Sequence, residues 1–335
     1  RFAVGPIEPN SIATTSADAV LTVAPGLSMV GARRSQESPA VATDGQDFFV
    51  VWQDERNGYQ HQAHWDLYGA RVTAEGQVLD PNGIPLYLGG SCNTPPAIAF
   101  DGTNYLVAWG RFGVRVSRNG EVWSPGVFPM AYSSAYDRPA IAFNGTDYVV
   151  AVTDHVLGAR ENDIRIVRVS PAGIVTDTNG TIVYPYDGPT AMAAASLGGE
   201  TLVVWTSGWG CWGVWVDPNG MASEMKQYTN AWVGAVAITT LDDCYFVAWT
   251  HVRYSEECYH LDVMGTLLSR EGYELSTRFI ATFTNDSLPQ QIAVAAAGSD
   301  CLVTWEANGS EAGYPWRKDI YGARLSRSGA PTAVF

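Results

Sequence analysis

Lysine is nearly missing from this chain: Lys226 and Lys318 are the only two, and the other basic side chains are arginines. With 20 basic residues against 34 acidic ones the net charge is −14, and no basic stripe interrupts it. Nucleic acid needs a run of phosphate-neutralising cations, so a nucleic-acid partner is not expected. An anionic polysaccharide would have to meet a local arginine pocket set against the global field. No apolar run is long enough to cross a bilayer, so membrane insertion is not expected either. Helical periodicity is also lacking, because no long stretch spaces its apolar residues every three to four positions between caps. Cysteine is scarce and odd in number, which excludes complete internal pairing, and the spacing matches no zinc ribbon or Cys-x-x-Cys pattern. Cys244 and Cys301 enter strands at one repeat position and read as buried thiols. Cys211 and Cys258 fall on neighbouring repeats and would form a disulfide in an oxidising compartment. The chain opens at Arg1, so removal of a leader, and with it export, is expected.

What the chain has instead is a repeat. Ser38-Pro39-Ala40-Val41-Ala42-Thr43-Asp44-Gly45 leads into Phe48-Phe49-Val50-Val51-Trp52. Pro96-Ala97-Ile98-Ala99-Phe100-Asp101-Gly102 leads into Tyr105-Leu106-Val107-Ala108-Trp109, and Pro139 to Gly145 leads into Tyr148 to Val152. Weaker copies end at Trp205, Trp249 and Trp305. A third segment follows each copy, clearest in Asp66-Leu67-Tyr68-Gly69-Ala70-Arg71 and Asp319-Ile320-Tyr321-Gly322-Ala323-Arg324. A glycine turn and a looser fourth segment come next, as in Glu75-Gly76 and Val78-Leu79-Asp80-Pro81.

Asp-Gly and Asn-Gly supply the positive φ of a tight hairpin turn. The first two segments are almost continuous in Ala, Val, Ile and Phe, as strands buried on both faces are. Six copies of a four-stranded antiparallel meander predict an all-β fold, a six-bladed β-propeller filling residues 1–335 as one domain. Blades are expected to start near 38, 95, 138, 188, 231 and 288. Residues 1–37 would be a lead and a closing strand, because Ala19 to Val30 resembles a fourth-strand region and would fill the outer place of the last blade. The tryptophans recurring at one repeat position read as blade core, and the sequons such as Asn144-Gly145-Thr146 as turn chemistry. The repeat resembles the propeller repeats of bacterial secreted proteins that read roughly PAVAFDGTNYLVVW and then DIYGARV, from about Ser38 to Arg324. That resemblance implies the fold and a secreted or cell-surface location; it implies no particular activity.

The loops joining second and third strands share one face with the blade-to-blade connections, and in propellers that face carries ligands. They are unequal here: long on blades one, five and six, short on four and almost nothing on two. Such walls make a cleft rather than a symmetric funnel. All five histidines, His61, His64, His155, His251 and His260, read as residues of these loops. Histidine suits proton transfer and metal ligation near neutral pH. His61 and His64, with Asp66, have the spacing of ligands for one divalent metal ion, calcium or zinc. Against this, Asp66 aligns with Asp163, Asp262 and Asp319, a recurrence that reads as a structural turn cap.

The candidate catalytic residues are His155, His251, Asp154, Arg253, Tyr254 and Glu256. A lyase on uronic-acid polymers needs a base, His or Tyr, and a cation for the carboxylate; a glycoside hydrolase needs two spaced carboxylates. Arg56, Tyr59, Tyr136, Trp209, Trp232, Tyr314, Trp316 and Arg317 are the candidate substrate contacts, rings for stacking on sugars and arginines for anionic groups. The expected function is a secreted carbohydrate-active protein that cleaves a polysaccharide by lyase or hydrolase chemistry. The alternative is a non-catalytic propeller at the cell surface that recognises a carbohydrate or a protein. A polysaccharide or oligosaccharide is the expected ligand and a monomer the default state.

Overall fold

A computed structural model of the chain describes residues 35–58, 65–89, 92–130, 138–154, 163–177, 180–183, 188–208, 210–254, 259–284, 291–297, 299–308, 318–326 and 331–334. They form six antiparallel four-stranded sheets in a ring, a six-bladed β-propeller, with no helix among the described residues. Blade one is β1 (Gln36–Thr43), β2 (Phe48–Asp54), β3 (Asp66–Val72) and β4 (Ile84–Tyr87). Blade two is β5 (Ala97–Phe100), β6 (Asn104–Trp109), β7 (Phe112–Ser117) and β8 (Phe128–Pro129). Blade three is β9 (Ala140–Phe143), β10 (Tyr148–Asp154), β11 (Asp163–Val169) and β12 (Thr181–Val183). Blade four is β13 (Ala191–Leu197), β14 (Glu200–Ser207), β15 (Gly210–Val216) and β16 (Lys226–Thr229). Blade five is β17 (Val233–Leu241), β18 (Cys244–Tyr254), β19 (Tyr259–Ser269) and β20 (Glu274–Thr284). Blade six is β21 (Ile292–Ala297), β22 (Asp300–Asn308), β23 (Lys318–Ser326) and β24 (Pro331–Val334).

Every blade is a plain meander in chain order. The first strands of successive blades lie against one another, which places them innermost, around the axis. The second strands carry the core: Trp52, Trp109, Trp205, Trp249 and Trp305 are all buried, as their shared repeat position predicts. Hydrophobic clusters bridge neighbouring blades, as where Phe49 and Val51 of blade one pack with Tyr105 and Val107 of blade two. Burial of such side chains stabilises by about 1.5–3 kcal/mol each.

The turns between first and second strands bear out the Asp-Gly and Asn-Gly reading. Asp44 Oδ1 accepts the N–H groups of Gln46 and Asp47 at 2.9 and 2.8 Å, and Asn144 Oδ1 those of Thr146 and Asp147 at 2.9 and 2.8 Å. The following glycines, Gly45 and Gly145, have φ of 90° and 98°, which a side chain would resist. On this face the blades are tied by side chains reaching to the next turn. Arg115 donates to the Ala172 carbonyl at 3.0 Å and Arg168 to the Pro218 carbonyl at 3.0 Å.

Two expectations are corrected. The outer place of blade six is held by β24, which pairs with β23 in the register Ala323↔Val334. Residues 1–34, which include Ala19 to Val30, lie outside the described residues. The physical reason is that outer strands here are very short, two to four residues in blades one to four, so Pro331–Val334 is long enough to be one. The disulfide between Cys211 and Cys258 is the second correction, since Cys211 is a free, fully buried thiol. Cys211 packs with Val204, Val233 and Trp249 between blades four and five, and burial pushes its thiol up to about 12. Cys258 lies outside the described residues.

Candidate functional site

On the loop face, one ladder position recurs around the ring. Two residues past the blade tryptophan, the second strand meets the third at Asp54↔Asp66 in blade one and at His251↔Asp262 in blade five. The equivalent pairs are Asp154↔Asp163 in blade three and Ala307↔Asp319 in blade six. The third-strand partner is aspartate in these four blades, whereas the second-strand partner varies; blade four pairs Ser207 with Gly210 there. Asp66 and Asp163 open their third strands, Asp319 is the second residue of its strand and Asp262 the fourth.

Among the described residues, the ladder of blade five runs furthest beyond this position. β18 and β19 are 11 residues each, and three more pairs stand above His251↔Asp262, ending at Tyr254↔Tyr259. At roughly 3.3 Å per residue, that lifts the hairpin about 10 Å beyond the shared position. His251, Arg253 and His260 are therefore strand residues, not loop residues as expected. Alternation explains it: Val252, Tyr254, Tyr259 and Leu261 favour extended backbone and pair across the hairpin in step with the polar residues between them. Asp154 likewise ends β10 rather than opening a loop; its side chain is outside the described residues.

Three of the blade-five side chains converge. Asp262 is buried and receives Arg253 Nη2 on Oδ1 at 3.0 Å and Arg253 Nε on Oδ2. His251 Nδ1 lies 3.9 Å from the same Oδ2. Burial works to raise the Asp262 carboxyl, but the hydrogen bonds from Arg253 and Thr282 and the charges of Arg253 and His251 outweigh it and hold it below the ordinary value. Burial pulls His251 below 6.5; Asp262 pushes it up and Arg253 pushes it further down. A neutral imidazole beside an ionised, clamped carboxylate is a proton acceptor near neutral pH. Trp232 sits at the foot of this wall, its carbonyl accepting the Val252 N–H at 2.9 Å and the residue 42% exposed.

Blade one is organised differently. Asp54 is fully buried, and Arg56 donates to it from Nε at 2.9 Å and Nη2 at 2.6 Å, with Trp52 Nε1 donating at 2.9 Å. Arg56 also donates to the Asn82 carbonyl at 2.5 Å and lies over the Tyr68 ring at 3.9 Å. Asn57 donates to Asp66 at 2.8 Å. Arg56, a candidate substrate contact, thus commits three of its N–H directions to the blade's own frame.

Tyr254 is placed by its backbone at the tip of the blade-five hairpin, and nothing is described of its side chain. His155, Glu256, Tyr59, Tyr136, Trp209, Tyr314, Trp316, Arg317, His61 and His64 lie outside the described residues. Among the described residues no three His, Cys, Asp or Glu side chains converge as a metal-binding group. Asp262 was missed as a site residue because its recurrence on four blades made it look like framework. The signal that finds it is the register, which follows from the blade-five turn once both strands are continued through the tyrosines.

No family model matches the chain, and no curated protein matches its sequence. Solved structures do. The hemagglutinin-neuraminidase of parainfluenza virus 5 with the ligand DANA is 7% identical over 88% of this chain and 92% of its own, with a TM-score of 0.47. Dihydro-heme d1 dehydrogenase NirN in complex with DHE is 11% identical over 90% of this chain and 66% of its own, TM-score 0.43. A prolyl endopeptidase is 12% identical over 90% of this chain, which spans 50% of that protein's length, TM-score 0.39. None of the three carries an activity over to this chain.

Proposed function

We propose that this propeller is a secreted carbohydrate-active protein that cleaves an acidic polysaccharide by elimination, with His251 as the base. The observation that carries the reading is the blade-five cluster: His251 Nδ1 lies 3.9 Å from an Asp262 that Arg253 holds ionised, on the loop face of the ring. In the elimination, the base takes the proton α to a uronate carboxylate. The C–H electron pair becomes the new C=C bond, and the glycosidic oxygen leaves with its own pair and is protonated by water or an acid side chain. Each cleavage yields one new reducing end and one unsaturated uronate. Hydrolase chemistry is less well supported, because Asp54 and Asp66 are 0% and 1% exposed and engaged with Arg56, Trp52 and Asn57. Secretion rests on the resemblance of the repeat to bacterial secreted proteins.

A second reading, recognition of a saccharide without cleavage at the cell surface, is favoured by Trp232, a large aromatic residue exposed beside the blade-five hairpin. Incubation with neutral and uronic-acid polysaccharides decides between them, following reducing ends and ultraviolet absorbance of unsaturated uronate together. Both signals from wild type and neither from His251→Ala support elimination. Reducing ends without absorbance would mean hydrolysis, and binding without either signal would mean recognition.

A further inference from the structure

Five of the six junctions between neighbouring blades are filled by an apolar cluster. The sixth, between blade six and blade one, has none among the described residues. Trp52, Tyr68 and Ala70, on the face that blade one turns away from blade two, cluster only with Val50 and Val78 of their own blade. Both walls of this seam are open. Leu302 and Thr304 on the second strand of blade six are half-buried, whereas the residues at the same two places elsewhere, from Phe49 and Val51 to Phe246 and Ala248, are buried. Ile320 on the third strand is 53% exposed, and its equivalents Leu67, Ile164, Cys211 and Val263 are all 0% exposed. On the opposite wall Phe48 is 39% exposed, where Tyr105, Tyr148 and Tyr245 of other blades are buried. The turns agree. A Cβ added to Gly120, Gly173, Gly220 or Gly272 would strike a side chain of the preceding blade, and one added to Gly76 of blade one would meet nothing within 4 Å.

Other blades close this junction with an outer strand. Leu86 of blade one, Phe128 of blade two, Val183 of blade three and Ile280 of blade five lie in outer strands and are buried in the cluster shared with the next blade. Each stands at the level of the third strand that runs from Leu67 to Gly69 in blade one. The same level in blade six is Ile320 to Gly322. β24 meets β23 below it, from Ala323 to Leu325. A sheet edge that carries an exposed apolar side chain is a template for a further strand, whose backbone bonds give affinity and whose alternate side chains give specificity.

We infer that the seam between blades six and one is a docking site for one further strand, and that its occupant is this chain's own residues 26–30. That segment lies outside the described residues, and its sequence carries the inference. Gly26-Leu27-Ser28-Met29-Val30 repeats the pattern of Gly83-Ile84-Pro85-Leu86-Tyr87, and Pro25-Gly26 repeats the Pro125-Gly126 that precedes Phe128. In blade one Ile84 pairs with Gly69 and Tyr87 with Leu67. The same register puts Leu27 opposite Gly322 and Val30 opposite Ile320, with Met29 in the place of Leu86 between the blades. The reach fits as well. Residues 31–35 join this strand to β1, as residues 230–232 join β16 to β17 and residues 130–139 join β8 to β9. Ser35 is anchored on blade one, its carbonyl accepting the Glu55 N–H at 3.1 Å. The outer strand of blade six is then built from two stretches far apart in sequence, β24 below and residues 26–30 above, and the upper one ties blade six to blade one.

The test is a cysteine pair in the full chain, Val30→Cys with Ile320→Cys, oxidised mildly and mapped by mass spectrometry, with each single variant as control. The expected result is a disulfide between the two introduced thiols within one chain, absent from both controls. A covalent dimer through the same two thiols would give the seam to a second copy and overturns the inference. So does a pair that stays reduced. Hydrogen exchange on the unsubstituted full chain is the second measurement. The amides of Leu27 to Val30 and of Ile320 should exchange about tenfold or more slowly than in an unstructured chain. Leu27→Asp combined with Met29→Asp should lose that protection at both places while blades two to four keep theirs. Protection at Ile320 that survives in this variant, or that occurs in the unsubstituted chain without protection of residues 26–30, means that another strand sits there and overturns the inference. Residues 26–30 exchanging as freely as an unstructured chain overturn it too.

Discussion

Tyr148 of blade three donates its phenolic proton to the main-chain carbonyl of Asn104 on blade two at 2.8 Å, with the tyrosine 1% exposed. Burial keeps the phenol neutral well above its ordinary range, so it stays a donor at every working pH. Tyr148→Phe keeps the ring and removes one of the two hydrogen bonds that the Asn104 carbonyl accepts, the Asp101 N–H at 3.0 Å remaining, a loss of about 0.5–1.5 kcal/mol. The urea midpoint should fall with little change in slope. Tyr245 makes the equivalent reach to the Glu200 carbonyl at 3.2 Å, and the longer bond predicts a smaller loss for Tyr245→Phe. A larger loss there would mean that the blade contacts are not ranked by these bonds.

Glycines with the same backbone angle should differ according to what stands beside them. Gly45 has φ of 90° and open space where a Cβ would be; Gly220 has φ of 87° and would place a Cβ 2.7 Å from Arg168 Nε. Gly45→Ala should cost about 1–2 kcal/mol from the left-handed backbone alone. Gly220→Ala should cost more, because it also displaces an arginine bonded to Pro218 and paired with Asp147. Equal costs in denaturant unfolding would show that Arg168 moves aside freely.

The fold was legible because its signals are local. Asp44-Gly45, Asp101-Gly102 and Asn144-Gly145 dictate tight turns by backbone angle and side-chain acceptors, and the tryptophans mark the inner strands without any knowledge of partners. The height of blade five was not legible. Whether His251 to Tyr254 is loop or strand depends on what faces it, and polar residues such as His251, Arg253 and His260 read as loop until they are seen alternating against a partner.

Thiol reactivity checks the packing between blades. Burial raises Cys92 and Cys211 to about 12 and Cys301, mainly by burial and further by the Asp300 charge, to about 11. The thiolate is the reactive form, so these three should resist a disulfide reagent at pH 8. No more than two thiols should react in the native protein, and all five after unfolding. Three or more native reactions would contradict the tight contacts around at least one of them.

His251 gives opposite predictions for its two neighbours. Burial, the largest influence, holds its folded-state value below 6.5, so the unfolded chain binds the proton more readily. Its contribution to stability is therefore complete above pH 6.5 and is lost as pH falls through the lower folded-state value. Arg253→Gln removes a positive charge that pushes His251 down and should move its titration to higher pH. Asp262→Asn removes the negative charge that pushes it up and should move the titration lower still. Imidazole resonances followed by NMR across pH 4–8 read both shifts without reference to catalysis. In a polysaccharide-cleaving wild type, the acid limb of kcat/KM should follow the same order: lowest for Asp262→Asn, then wild type, then Arg253→Gln. If both substitutions shift the imidazole the same way, the three side chains do not form the electrostatic unit that the base role requires.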